Sequence, residues 1–247
     1  MVLIVTENFQ RDIARMQDIS HHLQDVLRRV AIASTEAGRD PKDVQLLAVS
    51  KTMPVAAILA AYQAGQRHFG ENYVQEAVAK ITELAHLPLI WHLIGPLQSN
   101  KTAIVAANFD WVHSVDRLKI AQRLSAQRTI GLAPLNVCIQ VNIDDEQSKS
   151  GCQVSGLESL VTEILALPNV VLRGLMIIPQ TGNHFAFTQL TEIRQHLLAT
   201  IPALDATQFD TLSMGMSADM DAAIRAGSTM VRVGTAIFGQ RINHFET

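Results

Sequence analysis

The sequence predicts an α/β fold, a (β/α)8 barrel of the TIM type with an additional N-terminal helix. Three observations predict it: strand-length apolar runs alternate with helix-periodic stretches from end to end, about eight such runs occur, and 247 residues match one barrel of about 250. Strict β/α alternation builds a parallel sheet with helices covering its outer face. Eight repeats in this length favour closure over an open doubly wound sheet. No low-complexity stretch or linker divides the chain, so residues 1–247 are expected to form one domain.

The elements follow in order. From Glu7 to about Gly38 the residues Ile13, Met16, Ile19, Leu23, Leu27, Val30 and Ala31 recur at helical spacing, and Gly38 with Asp40-Pro41 stops that opening helix. Val44 to Ser50 is the first strand, followed by a helix opened by Pro54. His68-Phe69-Gly70 is a short second strand, with helical periodicity after Asn72. Leu89 to Gly95 is the third, and a short helix starts at Ser99. Trp111 to Val115 is the fourth, with Asp116 placed to cap the next helix. Asn136 to Asn142 is the fifth, and Val170 to Ile178, ended by Pro179, is the sixth. Thr211 to Met214 and Met230 to Val233 complete the series.

Composition narrows the function classes. Hydrophobic residues make up 48% and charged residues 17%, and the formal net charge of −3 carries no basic excess for nucleic acid or an anionic membrane surface. The two cysteines, Cys138 and Cys152, suggest neither a disulfide framework nor a zinc site, and Cys138 sits in an apolar run as a small core residue. No His-x-x-x-His or clustered carboxylates point to a metal. Met1 to Val5 is too short for a signal-peptide core, and no stretch reaches the roughly 20 apolar residues that span a bilayer. The expected compartment is the cytoplasm.

Barrels of this kind place their chemistry at the C-terminal ends of the strands, with phosphate sites near the seventh and eighth. Lys51 closes the first strand in Ala48-Val49-Ser50-Lys51-Thr52, where its amine can point into the barrel mouth. A lysine with a pKa lowered by burial or charge forms an imine with an aldehyde; a surface lysine in a βα loop is the plainer alternative. Two loops in the last quarter suit an anion. In Ser213-Met214-Gly215-Met216-Ser217, Gly215 permits a tight turn and Ser217 is expected at the N-cap of a helix running to Ala226. Asp219 and Asp221 in that first turn are assigned to the outer side, because they would repel an anion they faced. In Val233-Gly234-Thr235-Ala236 the last strand runs into a second glycine turn with a hydroxyl. Met230 and Arg232 share one side of the last strand, Val231 and Val233 the other. A buried arginine needs an anion or acceptor: a salt bridge inside the barrel is one partner, a pyridine nitrogen another.

Beyond these readings, the chain resembles a known family. Its motifs are Ala48-Val49-Ser50-Lys51-Thr52, Phe69-Gly70-Glu71-Asn72-Tyr73-Val74-Gln75-Glu76, Trp91-His92-Leu93-Ile94-Gly95-Pro96, His113-Ser114-Val115-Asp116, Lys149-Ser150-Gly151, Leu212-Ser213-Met214-Gly215-Met216-Ser217 and the run from Ala226 to Gly239. In this order, from about Lys42 to Arg241, they resemble the pyridoxal phosphate homeostasis protein family. The resemblance implies a fold-type III protein like the barrel domain of alanine racemase, with pyridoxal 5′-phosphate (PLP) as cofactor. It implies Lys51 as the Schiff-base lysine, Arg232 at the pyridine nitrogen, and Ser217, Gly234 and Thr235 at the phosphate. Asn72 would lie near the ring or its 3′-hydroxyl, and His92, Ser213 and Met214 would help line the pocket. His92 alternates with apolar neighbours and also reads as a hydrogen-bonded core histidine, as does His113; His21-His22 reads as surface. Lys101, Lys119 and Lys149 read as exposed charges, with Lys149 in a loop that could cover the pocket.

Holding PLP differs from catalysing with it. An arginine at the pyridine nitrogen opposes the protonated ring that electron-sink chemistry favours. Racemases of this fold type add a second base, in alanine racemase a tyrosine of the partner subunit, and a β-rich second domain. This sequence offers only Tyr62 and Tyr73 and no length for that domain. The expectation is therefore a non-catalytic PLP carrier in vitamin B6 homeostasis, monomeric, with transient contact to apo PLP enzymes. The alternative is a weak PLP-dependent amino-acid racemase or lyase, which α-hydrogen exchange above the rate of free PLP would favour. A protein-interaction module is a third class, favoured if Lys51→Ala left cellular function intact.

Overall fold

The structure, a computed structural model, describes residues 2–144 and 150–239. Helix α1 (Val2–Glu36) precedes the barrel. Eight strands then alternate with helices: β1 (Gln45–Val49), α2 (Val55–Gln63), β2 (His68–Glu71), α3 (Val74–Glu83), β3 (Ile90–Leu93), α4 (Thr102–Asn108), β4 (Trp111–Val115), α5 (Leu118–Gln127), β5 (Leu135–Asn142), and, after the two-residue β6 (Cys152–Gln153), α6 (Leu157–Leu165), β7 (Val170–Met176), α7 (Phe185–Thr200), β8 (Thr211–Met216), α8 (Met220–Arg225), β9 (Met230–Val233) and α9 (Thr235–Phe238). All pairings are parallel in the order β4-β3-β2-β1-β9-β8-β7-β5, and pairing of β4 with β5 closes the barrel. The expected closed barrel with an N-terminal helix is what forms. The additional β6 pairs only with the end of β5, at Val141 and Asn142. Its two residues are too short for a hydrophobic period to announce it.

Two expected caps are not made. Arg117, not Asp116, precedes α5, and Asp116 binds the Arg117 guanidinium through both carboxylate oxygens at 2.8 and 2.9 Å. Likewise α8 begins only at Met220 behind Asp219, so Ser217 stands upstream of the helix in the turn rather than at its N-cap.

Successive strand residues face opposite ways, so the barrel has two interiors. Outside the sheet, one continuous apolar core joins residues such as Leu46, Ala48, Phe69, Leu93 and Val112 to the helices, among them Ile58, Phe187 and Leu190. Helix α1 joins this layer through Ile19, Leu23, Val26, Val30 and Ala33, packing on α2, α8 and α9, while Leu27 lies at the edge of its apolar stripe and is exposed. Inside the sheet the composition changes. Trp111, Cys138 and Met176 form a small separate cluster, and above them the lumen holds His92, His113, Ser213 and Arg232, all buried.

Candidate functional site

A cavity of about 310 Å³ opens at the C-terminal mouth of the barrel. Its wall includes Lys51, just beyond β1; Asn72, just beyond β2; Ser217, just beyond β8; Arg232 on β9; and Gly234 and Thr235, which follow β9. Of the nine residues singled out from sequence, these six share the cavity, and His92, Ser213 and Met214 do not line it. Met214 packs fully buried in the layer between sheet and helices; Met216 stands at the cavity instead, because a register shift between Ser213 and Met216 brings it opposite Arg232. Lys149 lies outside the described residues.

The turn that carries Lys51 is held from behind. Thr52 adopts a left-handed backbone (φ 63°), a conformation that costs a non-glycine residue about 1–3 kcal/mol. Its N–H donates to Glu76 Oε1 at 2.6 Å. Lys80 Nζ donates to the Ser50 carbonyl, to Glu71 Oε1 and to Glu76 Oε1 at 2.8, 2.8 and 2.6 Å, and Ser50 Oγ donates to Glu71 Oε1 at 2.6 Å. Both neighbours of Lys51 are thus anchored to one buried ionic cluster. Burial pushes the Glu71 carboxyl up, against the opposing pull of Lys80. The sequence reading missed this cluster; the signal was there in Glu76 and Lys80, spaced i,i+4 on one helix face.

The opposite wall is a corner of free backbone donors. Gly215 (φ 91°) lets β8 turn sharply, and a Cβ there would fall 2.5 Å from that of Ala223. Gly234 brings the β9–α9 turn against the end of β1, where a Cβ would approach the Val49 carbonyl to 3.1 Å. The N–H groups of Ser217, Ala218, Thr235 and Ala236 find no acceptor among the described residues, and Ser217, Ala218 and Thr235 line the cavity. Such converging donors receive an anion. Both nearby carboxylates are engaged by donors of their own. Asp219 Oδ1 turns back to accept the Met216 N–H at 2.6 Å, and Asp221 is clasped from outside by Arg29 of α1 through Nε and Nη2, both at 2.8 Å. Arg29 also donates to the Ser217 carbonyl at 2.9 Å, tying the opening helix to this corner.

Arg232 lies between these walls, 4% exposed. Its Nη1 donates to Ser213 Oγ and its Nη2 to the Ile177 carbonyl, both at 2.8 Å. Among the described residues no carboxylate forms an ion pair with it, although the charge of Asp219 acts on it from a distance, and Nε has no acceptor there either. Burial pulls its pKa down to about 10, which leaves it a cation at neutral pH.

His92 and His113 are core histidines, as their alternation with apolar residues allowed, and they join a chain. His68 Nδ1 meets His92 Nε2 at 3.0 Å, His92 Nδ1 meets His113 Nε2 at 2.9 Å, and His113 Nδ1 meets Ser213 Oγ at 2.8 Å. β4 and β8 are separated in the sheet by β5 and β7, so the last of these bonds crosses the lumen. Burial holds all three imidazoles below their usual pKa, with His113 at about 3.

A barrel with a lysine, an arginine and an anion corner at its C-terminal mouth defines a class, and comparison names it. Residues 13–242 match the family described as alanine racemase, N-terminal domain. Among curated relatives, the pyridoxal phosphate homeostasis protein of Pseudomonas aeruginosa is 54% identical over 231 residues, covering 92% of this chain and 97% of that protein. That of Escherichia coli K12 is 52% identical, covering 92% and 98%. The chain belongs to the pyridoxal phosphate homeostasis protein family. Among solved structures, PipY of Synechococcus elongatus with PLP bound is 39% identical with a TM-score of 0.77, covering 90% of this chain and all of that one. Alanine racemase of Corynebacterium glutamicum, 16% identical with a TM-score of 0.63 and covering 94% of this chain and 63% of that one, shares the fold.

Proposed function

We propose that this chain holds PLP as a Schiff base on Lys51 and buffers or delivers it without turnover. The observation that carries the reading is the meeting of Lys51, Arg232 and the Ser217/Thr235 donor corner around one cavity. The residues fit the cofactor's three chemical ends. Lys51 supplies the amine for the aldehyde, Arg232 has an Nε–H without an acceptor among the described residues for the pyridine nitrogen, and the four backbone amides likewise unpartnered there, with the two hydroxyls, suit the phosphate. Asn72 Oδ1, buried without a partner among the described residues, suits a donor on the ring. When bound, PLP supplies a reactive aldehyde and an electron-withdrawing ring. The chain's own residues serve retention. Arg232 stays protonated and donates, which keeps the pyridine nitrogen unprotonated and damps electron-sink chemistry. Tyr73 is 55% exposed at the start of α3 and does not line the cavity, and Tyr62 lies on α2, so neither is placed as a second base. The relatives carry homeostasis names.

The test is spectroscopic. Purified protein supplied with PLP should absorb near roughly 420 nm and lose that band on borohydride reduction, as a protonated lysine imine does. Peptide mapping should then place the reduced adduct on Lys51, and Lys51→Ala should abolish it. An adduct confined to other lysines ends the reading. Amino-acid α-hydrogen exchange above the rate of free PLP would move the protein to the weak racemase or lyase class. Transfer of PLP to an apo-enzyme, and sedimentation as a monomer, are the outcomes expected of a carrier.

A further inference from the structure

The histidine chain ends on Arg232, and its hydrogen atoms can be assigned. Arg232 has no lone pair to offer, so Nη1 donates and Ser213 Oγ accepts. Ser213 is wholly buried, and its hydroxyl has one further partner among the described residues, His113 Nδ1. The serine proton must therefore point at His113 Nδ1, since a buried hydroxyl left without an acceptor is costly. A neutral His113 accepting at Nδ1 carries its proton on Nε2, which faces His92 Nδ1. By the same step His92 is protonated on Nε2 and donates to His68 Nδ1, and His68 keeps its proton on Nε2. One fixed donor thus sets the tautomer of three residues on three neighbouring strands.

We infer that His113, acting through Ser213, is a positioning residue for Arg232, and that the lumen histidines form a one-directional hydrogen-bond chain, all Nε2-protonated, that holds the guanidinium with Nε toward the cofactor. The part about the chain rests on geometry alone; the part about the cofactor rests on the reading above. The arrangement explains polar groups in a barrel lumen that apolar side chains would otherwise fill. Two bonds from fixed acceptors, Ser213 Oγ and the Ile177 carbonyl, leave the guanidinium plane no rotation. Ser213 is a dependable acceptor only while His113 takes its proton. Charging any ring in the chain would set two donors face to face and break that order.

Two measurements test this. Long-range ¹H–¹⁵N correlation spectra of histidine-labelled, cofactor-free protein, assigned with His92→Gln and His113→Gln, should show Nε2–H tautomers for His68, His92 and His113. A proton on Nδ1 of His113 or His92 overturns the assignment. PLP titration supplies the second arm. His113→Leu and Ser213→Ala should each weaken binding about tenfold, the scale of one hydrogen bond to a charged group. The double variant should be no weaker than either single one, because the two act in series, and His113→Gln, which keeps an acceptor and a donor, should recover to within about threefold of the native chain. Additive losses, or a glutamine as weak as leucine, overturn the positioning role. The borohydride adduct on Lys51 should persist in every variant at saturating PLP. If the native chain takes up no PLP, the cofactor reading fails, and the tautomers alone support or overturn the chain.

Discussion

The two sides of the same sheet are built on different terms. Between sheet and helices lies an uninterrupted apolar layer in which Phe69, Phe109, Phe187 and Phe209 are all fully buried. Inside the barrel, where branched aliphatic residues usually stack, three imidazoles, a serine and an arginine run end to end from partly buried His68 at the start of β2 to Arg232. The layer stabilises through area removed from water, without direction. The lumen contributes little of that and gives direction instead: it aims Arg232 at the mouth. Stability and binding are thus assigned to opposite faces of one set of strands, and variants should separate them.

The largest effect is expected in the layer. Phe187→Ala should lower unfolding free energy by about 3–5 kcal/mol, the usual loss for a truncated core aromatic, and leave PLP affinity unchanged at temperatures well below its melt. Chemical denaturation and PLP titration on the same sample check both halves; a matching loss of affinity would undo the separation.

Acid should act through the lumen. His92 and His113 have folded-state pKa values below the ordinary histidine value, so as pH falls the unfolded chain binds protons first. Stability held by the neutral rings is complete above about pH 6.5 and drains below it, by about 1.4 kcal/mol per pH unit for each of these two buried rings, continuing toward about pH 3 for His113. Glu71 has the opposite sign: its raised pKa makes its contribution fall as pH rises from about 4.3 through the folded value, which offsets one ring's worth at most where the windows overlap. Melts between pH 7.5 and 5 should therefore decline steeply, and His113→Gln should flatten the decline. A native melt independent of pH across that interval would contradict the buried neutral rings.

Arg232→Met should reverse the pattern of Phe187→Ala. PLP binding should fall by about a hundredfold, the scale of a lost buried charge-assisted contact, while stability shifts by less than about 2 kcal/mol, because relief of a buried charge offsets the acceptors left open. The smallest effect is chemical. Cys138, buried in the lumen with its thiol pushed far up by burial, should resist a thiol reagent in the native state that labels the half-buried Cys152. Equal labelling rates would show that the lumen opens.

How much of this was legible in the chain differs with the range of the interaction. Alternation of apolar runs and helical periods announced the barrel, because each strand must be apolar on the side that meets helices; Trp111 to Val115 and Met230 to Val233 match their strands end to end. Lys51, Arg232 and Gly234 were legible because they break those runs where barrel mouths carry chemistry. The caps at Asp116 and Ser217 were misplaced, by one and two residues, because a cap depends on where a helix starts, which composition does not resolve that finely.

The sequence by itself determined the order of the eight barrel strands and of the helices between them, since this is a property of neighbours along one chain. Only the tertiary structure decided which inward residues meet. His113 and Ser213 are 100 positions apart and touch because closure of β4 onto β5 folds the lumen over them, and Ser50, Glu71 and Lys80 converge because β1, β2 and α3 pack side by side. Hydrogen bonds are short-ranged and directional, so no periodicity along the chain encodes the partner that a closed sheet brings from its far side.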